Sequence, residues 1–294
     1  MSLRALLIIN TKSRRGGEAR AEIESGLRAR GIAPEHREAE DRDALTALIV
    51  EASADKDLIV VAGGDGTLNA AGKGLIEARK PLGIVPTGTA NDLARTLGLP
   101  TGLDDALDVI AAGSTRPIDL GAVNGIPFFN VASIGMSVEL AERLTGDLKK
   151  RFGRLGYAVA AFGALTRARP FRATIKKDGE TRRVHTLQVA VGNGRFYGGG
   201  NQVDENAEID DGLLDLYSLE AKQAWKTVLM FKALRYGQHG SWEELRTMSG
   251  AAFEVSTRSP RSVNADGEIV TKTPARFEIL PLALDVIAPR PEPA

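Results

Sequence analysis

An unbroken apolar run, Leu58-Ile59-Val60-Val61-Ala62, passes straight into Gly63-Gly64-Asp65-Gly66-Thr67-Leu68-Asn69. A run with no polar alternation fits a strand covered on both faces, the situation of a parallel sheet. The glycines let the backbone take conformations closed to other residues and come close to a ligand. A helix is predicted from about Leu68. Between strand and helix, successive N–H groups form an anion nest, and the helix start adds positive potential. Thr67 suits either a helix cap or a phosphate contact. Asp65 would repel phosphate directly, so it requires a metal, a cation or a nucleotide hydroxyl nearby. A tight turn would also need glycine, but an acid inside the glycine run at a strand's end favours a ligand loop.

The same rhythm surrounds this loop. Leu6 to Asn10 reads as a first buried strand, followed by a Gly-rich turn at Lys12 to Gly17. Glu18 to Arg30 has helical spacing, with Ala21, Ile23, Leu27 and Ala29 among charges, and stops at Gly31. Ala44 to Ser53 is a further helix, and Leu82 to Val85 a strand closed by Pro86. Helices at Ala90 to Leu97 and Asp104 to Ala112 follow. This order predicts a doubly wound α/β sheet with ligand loops at the strand C-termini. The loop Pro86-Thr87-Gly88-Thr89-Ala90-Asn91-Asp92-Leu93-Ala94-Arg95 would then lie beside the first. Thr89 is a natural N-cap. Asp92 and Arg95 share a helix face, which taken alone is an ordinary surface ion pair.

Beyond Pro117 the pattern changes to short strands between turns: 118–123, 128–132, 172–176, 186–191 and 213–219. One helical region, 137–168, interrupts them. The reading is an α/β nucleotide-binding domain at 1–118 and a mostly β, sandwich-like domain at 119–278. A strand at 279–289 can return to the first domain, and Pro289 to Ala294 reads as a frayed tail. With 294 residues, 43% of them hydrophobic, the chain has material for one large core or two modest ones. Its formal net charge is zero, which gives no support to bulk nucleic-acid binding. It has no cysteine, which excludes disulfides, thiolate zinc sites and cysteine nucleophiles and fits a reducing cytoplasm. The apolar start is too short for a signal-peptide core. No stretch approaches the roughly 18 apolar residues of a membrane span, so bilayer contact would be peripheral, at the inner surface.

Taken in order, these blocks resemble the diacylglycerol kinase catalytic-domain family, in particular its small bacterial lipid-kinase branch, whose core sphingosine and ceramide kinases share. The resemblance covers nearly the whole chain. It includes Asn10, Gly64 to Asn69, Gly88 to Asp92, Ile118-Asp119, Val191-Gly192-Asn193-Gly194 with Gly198-Gly199-Gly200, Asn206 to Leu214, and Asn264-Ala265-Asp266-Gly267-Glu268. It implies two domains with the active site in the cleft between them, and a Mg²⁺-dependent transfer of phosphate from ATP to a lipid hydroxyl. By that resemblance Asn10, Gly64, Asp65, Gly66, Thr67, Leu68, Asn69 and Thr89 bind the nucleotide. Asp65, Asp92, Arg95 and Asp119 form a charged network.

The resemblance also implies that the general base lies on Asp266-Gly267-Glu268. A lipid alcohol is a poor nucleophile, and a carboxylate within reach can take its proton. Glu268 is favoured as base and Asp266 as a metal or network partner, although the segment alone also reads as a hairpin turn. Asp211, with the carbonyls of Glu208 and Leu213, matches a structural Mg²⁺ site, and hard oxygen ligands suit that ion. By composition alone this segment reads as a polar turn before a strand rather than a metal site. Two positions depart from the family pattern. Ala70 stands where a glutamate is common, and Glu38 or Ala39 stands near an expected threonine.

A lipid substrate requires access to a bilayer. Lys149-Lys150-Arg151 before the apolar stretch to Phe162 could dock on anionic headgroups, or the helix could pack on the β domain with its charges in water. His36, His185 and His239 are isolated and show no metal spacing; Trp225 and Trp242 read as packing. Two other functions remain open. The Gly-Gly-Asp-Gly loop also resembles NAD kinases and 6-phosphofructokinases, which act on soluble substrates. The departures at Ala70 and Glu38 would suit a weakly catalytic nucleotide- or lipid-binding regulator.

Overall fold

The structure is a computed structural model and describes residues 2–9, 16–136, 138, 169–194, 196–197, 201–202, 208–220 and 245–289. The chain forms two compact units. One runs to Leu120 and resumes at Leu280; the other takes the described residues between Gly121 and Ile279.

The first unit alternates β1 (Leu3–Ile9), α1 (Gly16–Ala29), β2 (Ile32–Arg37), α2 (Arg42–Ala52), β3 (Leu58–Gly63), α3 (Asp65–Ala78) and β4 (Leu82–Pro86). Then come α4 (Asp92–Thr96), α5 (Leu103–Ala112) and β5 (Thr115–Val123), whose last three residues lie in the second unit. The strands run parallel in the order β2-β1-β3-β4. The far end of β18 (Ala275–Ile287) joins β4 in parallel through Val286 and Leu82. The alternating side chains of β1 and β3 are buried on both faces. Ala5, Leu7, Ile9, Val60 and Ala62 pack with Ile23 and Leu27 of α1 and Leu107 and Ile110 of α5. Leu6, Ile8, Ile59 and Val61 are buried as well, so both strands read as continuous apolar runs. Helices α2 and α3 pack tightly: a Cβ on Gly74 would stand 3.0 Å from Cβ of Ile49. Because β1 lies between β2 and β3, the winding reverses at β1. Such a switch point opens a crevice at the strand C-termini, where Gly63 leads into α3.

The second unit is antiparallel. A six-stranded sheet has the order β14 (Leu245–Gly250), β13 (Leu214–Leu219), β10 (Gln188–Gly192), β7 (Val131–Gly135), β16 (Ser262–Ala265), β17 (Glu268–Lys272). A second ladder pairs the near half of β18 with β15 (Ala252–Thr257), then β8 (Phe171–Lys177), then β9 (Glu180–Thr186). Ala132, Ile134, Val189, Val191, Leu214, Leu216, Val263 and Ala265 from the first layer pack on Phe171, Ala173, Ile175, Phe253, Val255, Ala275 and Phe277 from the second. This is a sandwich core with alternate residues turned inward. Strand β6 (Ile126–Phe128) pairs with β5, and β11 (Phe196–Tyr197) with β12 (Asn201–Gln202).

Several boundaries differ from the sequence reading. Strand β2 was not anticipated: it is an edge strand, mostly half-exposed and bearing Pro34, Glu35 and His36, so it lacks a clear apolar period. Helix α3 starts at Asp65 rather than Leu68, because its first turn is made of residues usually met in loops. The predicted strand 128–132 is broken at Phe129-Asn130, and 186–191 is broken at Leu187, where neighbouring strands exchange partners. The predicted helix 137–168 lies outside the described residues apart from Val138, and so does the basic stretch 149–162. Asn10, Gly198 to Gly200, Asn206, His239, Trp225 and Trp242 also lie outside them.

Candidate active-site elements

In the first unit the two predicted loops meet. Thr87 N–H donates to Gly63 O at 3.0 Å. Gly63, Gly64 and Gly88 are each dictated by a neighbour. A Cβ on Gly63 would fall 2.4 Å from Cβ and Oγ1 of Thr67, which folds back over it. A Cβ on Gly88 would fall 2.6 Å from both Gly64 Cα and Asn91 Oδ1. The loops therefore touch backbone to backbone, with no room for side chains between them.

Asp65 occupies the first turn of α3 and reaches the second loop through one carboxylate oxygen. Its Oδ1 accepts from the Asp92 amide at 2.8 Å and the Leu93 amide at 3.4 Å. It thereby caps α4, whose own cap residue Asn91 makes no side-chain cap bond. The cap expected at Thr89 is not there: α4 begins at Asp92, and Thr89 is exposed. Asn91 instead takes the left-handed conformation, φ 50°, and closes the second loop. Its Oδ1 accepts from Gly88 N–H at 3.0 Å and its Nδ2 donates to Gly88 O at 2.9 Å. Asparagine is suited to both tasks, and that was the available signal for a residue the sequence reading passed over.

Thr67 also does not cap α3. Gly64 holds that position, and the Thr67 and Leu68 amides both donate to Gly64 O, at 2.9 and 3.2 Å. The Asp65 and Gly66 amides are left at the open start of a 14-residue helix, the arrangement that receives an anionic oxygen. Leu68 is buried and anchors the turn. Asn69, buried as well, accepts from Arg42 Nη2 at 2.9 Å through Oδ1. Arg42 opens α2 and was not singled out from sequence; it sits close to the place where the expected threonine is missing. Asp92 is buried while Arg95 is exposed. Asp119, only 1% exposed, accepts from Leu282 N–H at 2.7 Å, and Leu282 is held at φ 46°.

In the second unit Asp266-Gly267 is the two-residue turn joining β16 to β17. Both residues have positive φ, 47° and 95°, as a type I′ hairpin demands. The Asp266 carboxylate accepts three backbone amides: Phe129 at 2.7 Å, Asn130 at 3.0 Å and Val131 at 3.0 Å. Asn193 completes the grip on that segment, its N–H donating to Asn130 O and its Nδ2 to Phe129 O. Asn264 closes the turn by accepting from Gly267 N–H at 2.9 Å. The expected metal or network partner Asp266 thus serves first as a clamp on the start of β7. Glu268, the first residue of β17, is exposed.

At the predicted Mg²⁺ position Asp211 is an exposed residue of the turn before β13. Its Oδ1 accepts from Leu213 N–H at 2.9 Å, and Gly212 supplies φ 74°. Among the described residues no group of three or more histidines and carboxylates could hold a metal. A cation at Asp211 would draw on one carboxylate and carbonyl oxygens such as those of Glu208 and Leu213. That donor set is hard and suits Mg²⁺. No helix among the described residues is long and apolar enough to cross a membrane.

Comparison with known proteins finds two family domains in succession. The diacylglycerol kinase catalytic domain matches residues 4–123, and the YegS C-terminal NAD kinase beta sandwich-like domain matches residues 130–288. A diacylglycerol kinase of Mycobacterium tuberculosis is 34% identical over 84% of this chain and 82% of its own length. One from Bacillus subtilis is 31% identical over 80% and 78%. A crystal structure of a diacylglycerol kinase from Bacillus anthracis superposes with a TM-score of 0.80 at 28% identity, covering 98% of each chain.

Proposed function

The chain belongs to the diacylglycerol kinase family, and from that membership we propose that it transfers the γ-phosphate of ATP to the hydroxyl of a lipid, diacylglycerol or a close relative. The observation that carries the chemistry is the exposed carboxylate of Glu268 at the first residue of β17. Asp266 is given over to three amides, while Glu268 is exposed two residues away. Glu268 accepts the proton of the lipid hydroxyl as its oxygen bonds to the γ-phosphorus and the bond from that phosphorus to the bridging oxygen breaks. The Asp65 and Gly66 amides at the start of α3 hold phosphate oxygens. Asp65 and Asn91 keep the two loops in register, and Arg42 orients Asn69 beside them. Mg²⁺, when bound, would offset charge on the phosphates, and Asp211 with the neighbouring carbonyls would hold a structural ion.

The test is radiolabelled γ-phosphate transfer from ATP to a panel of lipid micelles, read by thin-layer chromatography, with Glu268→Gln as the control. A labelled lipid that falls about 10²- to 10⁴-fold in the variant, with nucleotide binding retained, supports the assignment. Full activity in Glu268→Gln removes Glu268 from it. Labelling of a soluble acceptor such as NAD, with none of any lipid, replaces the lipid reading with a soluble-substrate kinase.

A further inference from the structure

We infer that the open end of the β15-β8-β9 ladder is a docking surface for an anionic bilayer. The antiparallel register sets Phe171 to Thr174 against Arg183 to Thr186, and Ala173 and Thr174 against Thr257 and Ser256. With their flanking residues, the stretches 169–174, 183–186 and 256–262 contain five arginines and no acidic residue. Phe171, Ala173 and Ile175 of β8 turn into the sandwich core, so Arg172 and Thr174 face outward. Directly opposite them stand His185 and Arg183, on the same outer face. Arg258 follows the last residue of β15, Arg169 precedes β8, and both are exposed. Arg261 is half-buried instead, its guanidinium 4.1 Å from the centre of the inward-turned Phe171 ring.

Charge is distributed unevenly along this ladder. At the hairpin end, where β8 turns into β9, the charges are paired. Lys176 meets Glu254, Lys177 meets Asp178, and Arg182 meets Glu180. At the open end Arg169, Arg172, Arg183 and Arg258 have no carboxylate partner among the described residues. The chain as a whole is neutral, so this is a local concentration rather than a general excess. Strand β9 ends the strand order, so no strand among the described residues pairs with the edge beside Arg183 and His185.

The occupant follows from the chemistry. A flat arginine face without carboxylates is complementary to a layer of anionic headgroups, where each basic residue strengthens binding about fivefold. Single-stranded nucleic acid would also be attracted, but it is held by exposed aromatic rings on which bases stack. The only Phe, Tyr or Trp in these stretches is Phe171, which is 6% exposed. This placement rests on the lipid-kinase reading, which puts the acceptor in a bilayer.

The test uses the full chain and vesicles of phosphatidylcholine with and without phosphatidylserine, scored by co-sedimentation. The triple variant Arg172→Gln, Arg183→Gln, Arg258→Gln removes charge from exposed positions only. The parent is expected to prefer the anionic vesicles and to lose that preference in high salt. The triple variant should lose about a hundredfold in partition, with melting temperature and labelling of a short-chain acceptor in uncharged micelles unchanged. Equal binding of both vesicles by the parent, or undiminished binding by the variant, overturns the proposal and leaves the arginines as protection of a sheet edge. Displacement of the bound protein by a trace of single-stranded oligonucleotide overturns it in favour of a nucleic-acid surface. Anionic binding without phosphorylation of any lipid would retain the surface and refute the kinase reading. Lipid phosphorylation in micelles without anionic binding would do the reverse.

Discussion

Replacing Asp65 tests whether it has chemical work beyond its structural work. In Asp65→Ala the Asp92 and Leu93 amides lose their shared acceptor, and α4 has no other side-chain cap. Loss of a cap costs about 1 kcal/mol, and loss of a bond to a charged acceptor about 1.5 to 3 kcal/mol. The two descriptions overlap, so about 2 kcal/mol is the expected destabilisation of the first unit. For a unit of this size that lowers the melting temperature by roughly 4 to 8 °C. Asp65→Asn keeps an oxygen at the same place and gives up only the charge, worth about 0.3 to 1 kcal/mol beside a helix start. Scanning calorimetry on both variants, paired with γ-phosphate transfer, reads the two roles separately. Asparagine should restore most of the stability. If it also restores transfer, Asp65 acts only by joining the loops; if transfer stays low, its charge serves the reaction as well. A melting temperature in Asp65→Ala equal to the parent's refutes the cap.

Asp266→Ala should destabilise the second unit by about 3 kcal/mol or more, because it orphans three amides at once. Urea unfolding followed by intrinsic fluorescence measures this, whereas Glu268→Gln should leave the midpoint where it is. His36 gives a pH dependence. Burial pushes its imidazole below the ordinary value of 6.5, and the charge of Arg20 pushes the same way. Its buried Nε2 stands 3.6 Å from Glu38, too far for a good hydrogen bond. The unfolded chain therefore takes up the proton more readily, and stability rises with pH across the window below 6.5. The melting temperature should fall as pH drops through that window, and His36→Asn should flatten the fall.

The parallel core was legible because β3, β4 and the Ala5 to Ile9 part of β1 are apolar without interruption, a pattern few other environments produce. Strand β2 was not, since an edge strand is covered on fewer sides and its residues answer to water as much as to the core. The glycine loops were legible as loops, but the tasks of their polar residues were not. Thr89, Asn91 and Asp65 are all able to cap a helix, and the choice among them depends on how close Gly88 comes to Gly64. The hairpin poses the same difficulty over a longer range. Asp266 and Glu268 are chemically near-equivalent in sequence. What divides them is β7, which brings the Phe129 to Val131 amides onto Asp266 from more than a hundred residues upstream. Sequence spacing carries no trace of that meeting.

An acid within a glycine loop looks repulsive to phosphate only while the loop is considered alone. Asp65 binds the neighbouring loop, Asn91 folds that loop on itself, and Thr67 covers Gly63, so every glycine but Gly66 is committed to a contact inside the protein. Gly66 is the exception, with nothing within 4 Å of a Cβ placed there. The open space and the unshared amides thus coincide at the start of α3. A site whose donors are already fixed avoids the ordering cost that a mobile loop would meet on binding an anion. On this account the carboxylate at position 65 is what makes the nest rigid. An alanine there should raise the KM for ATP as the loops loosen, even though it removes a negative charge from beside the phosphates.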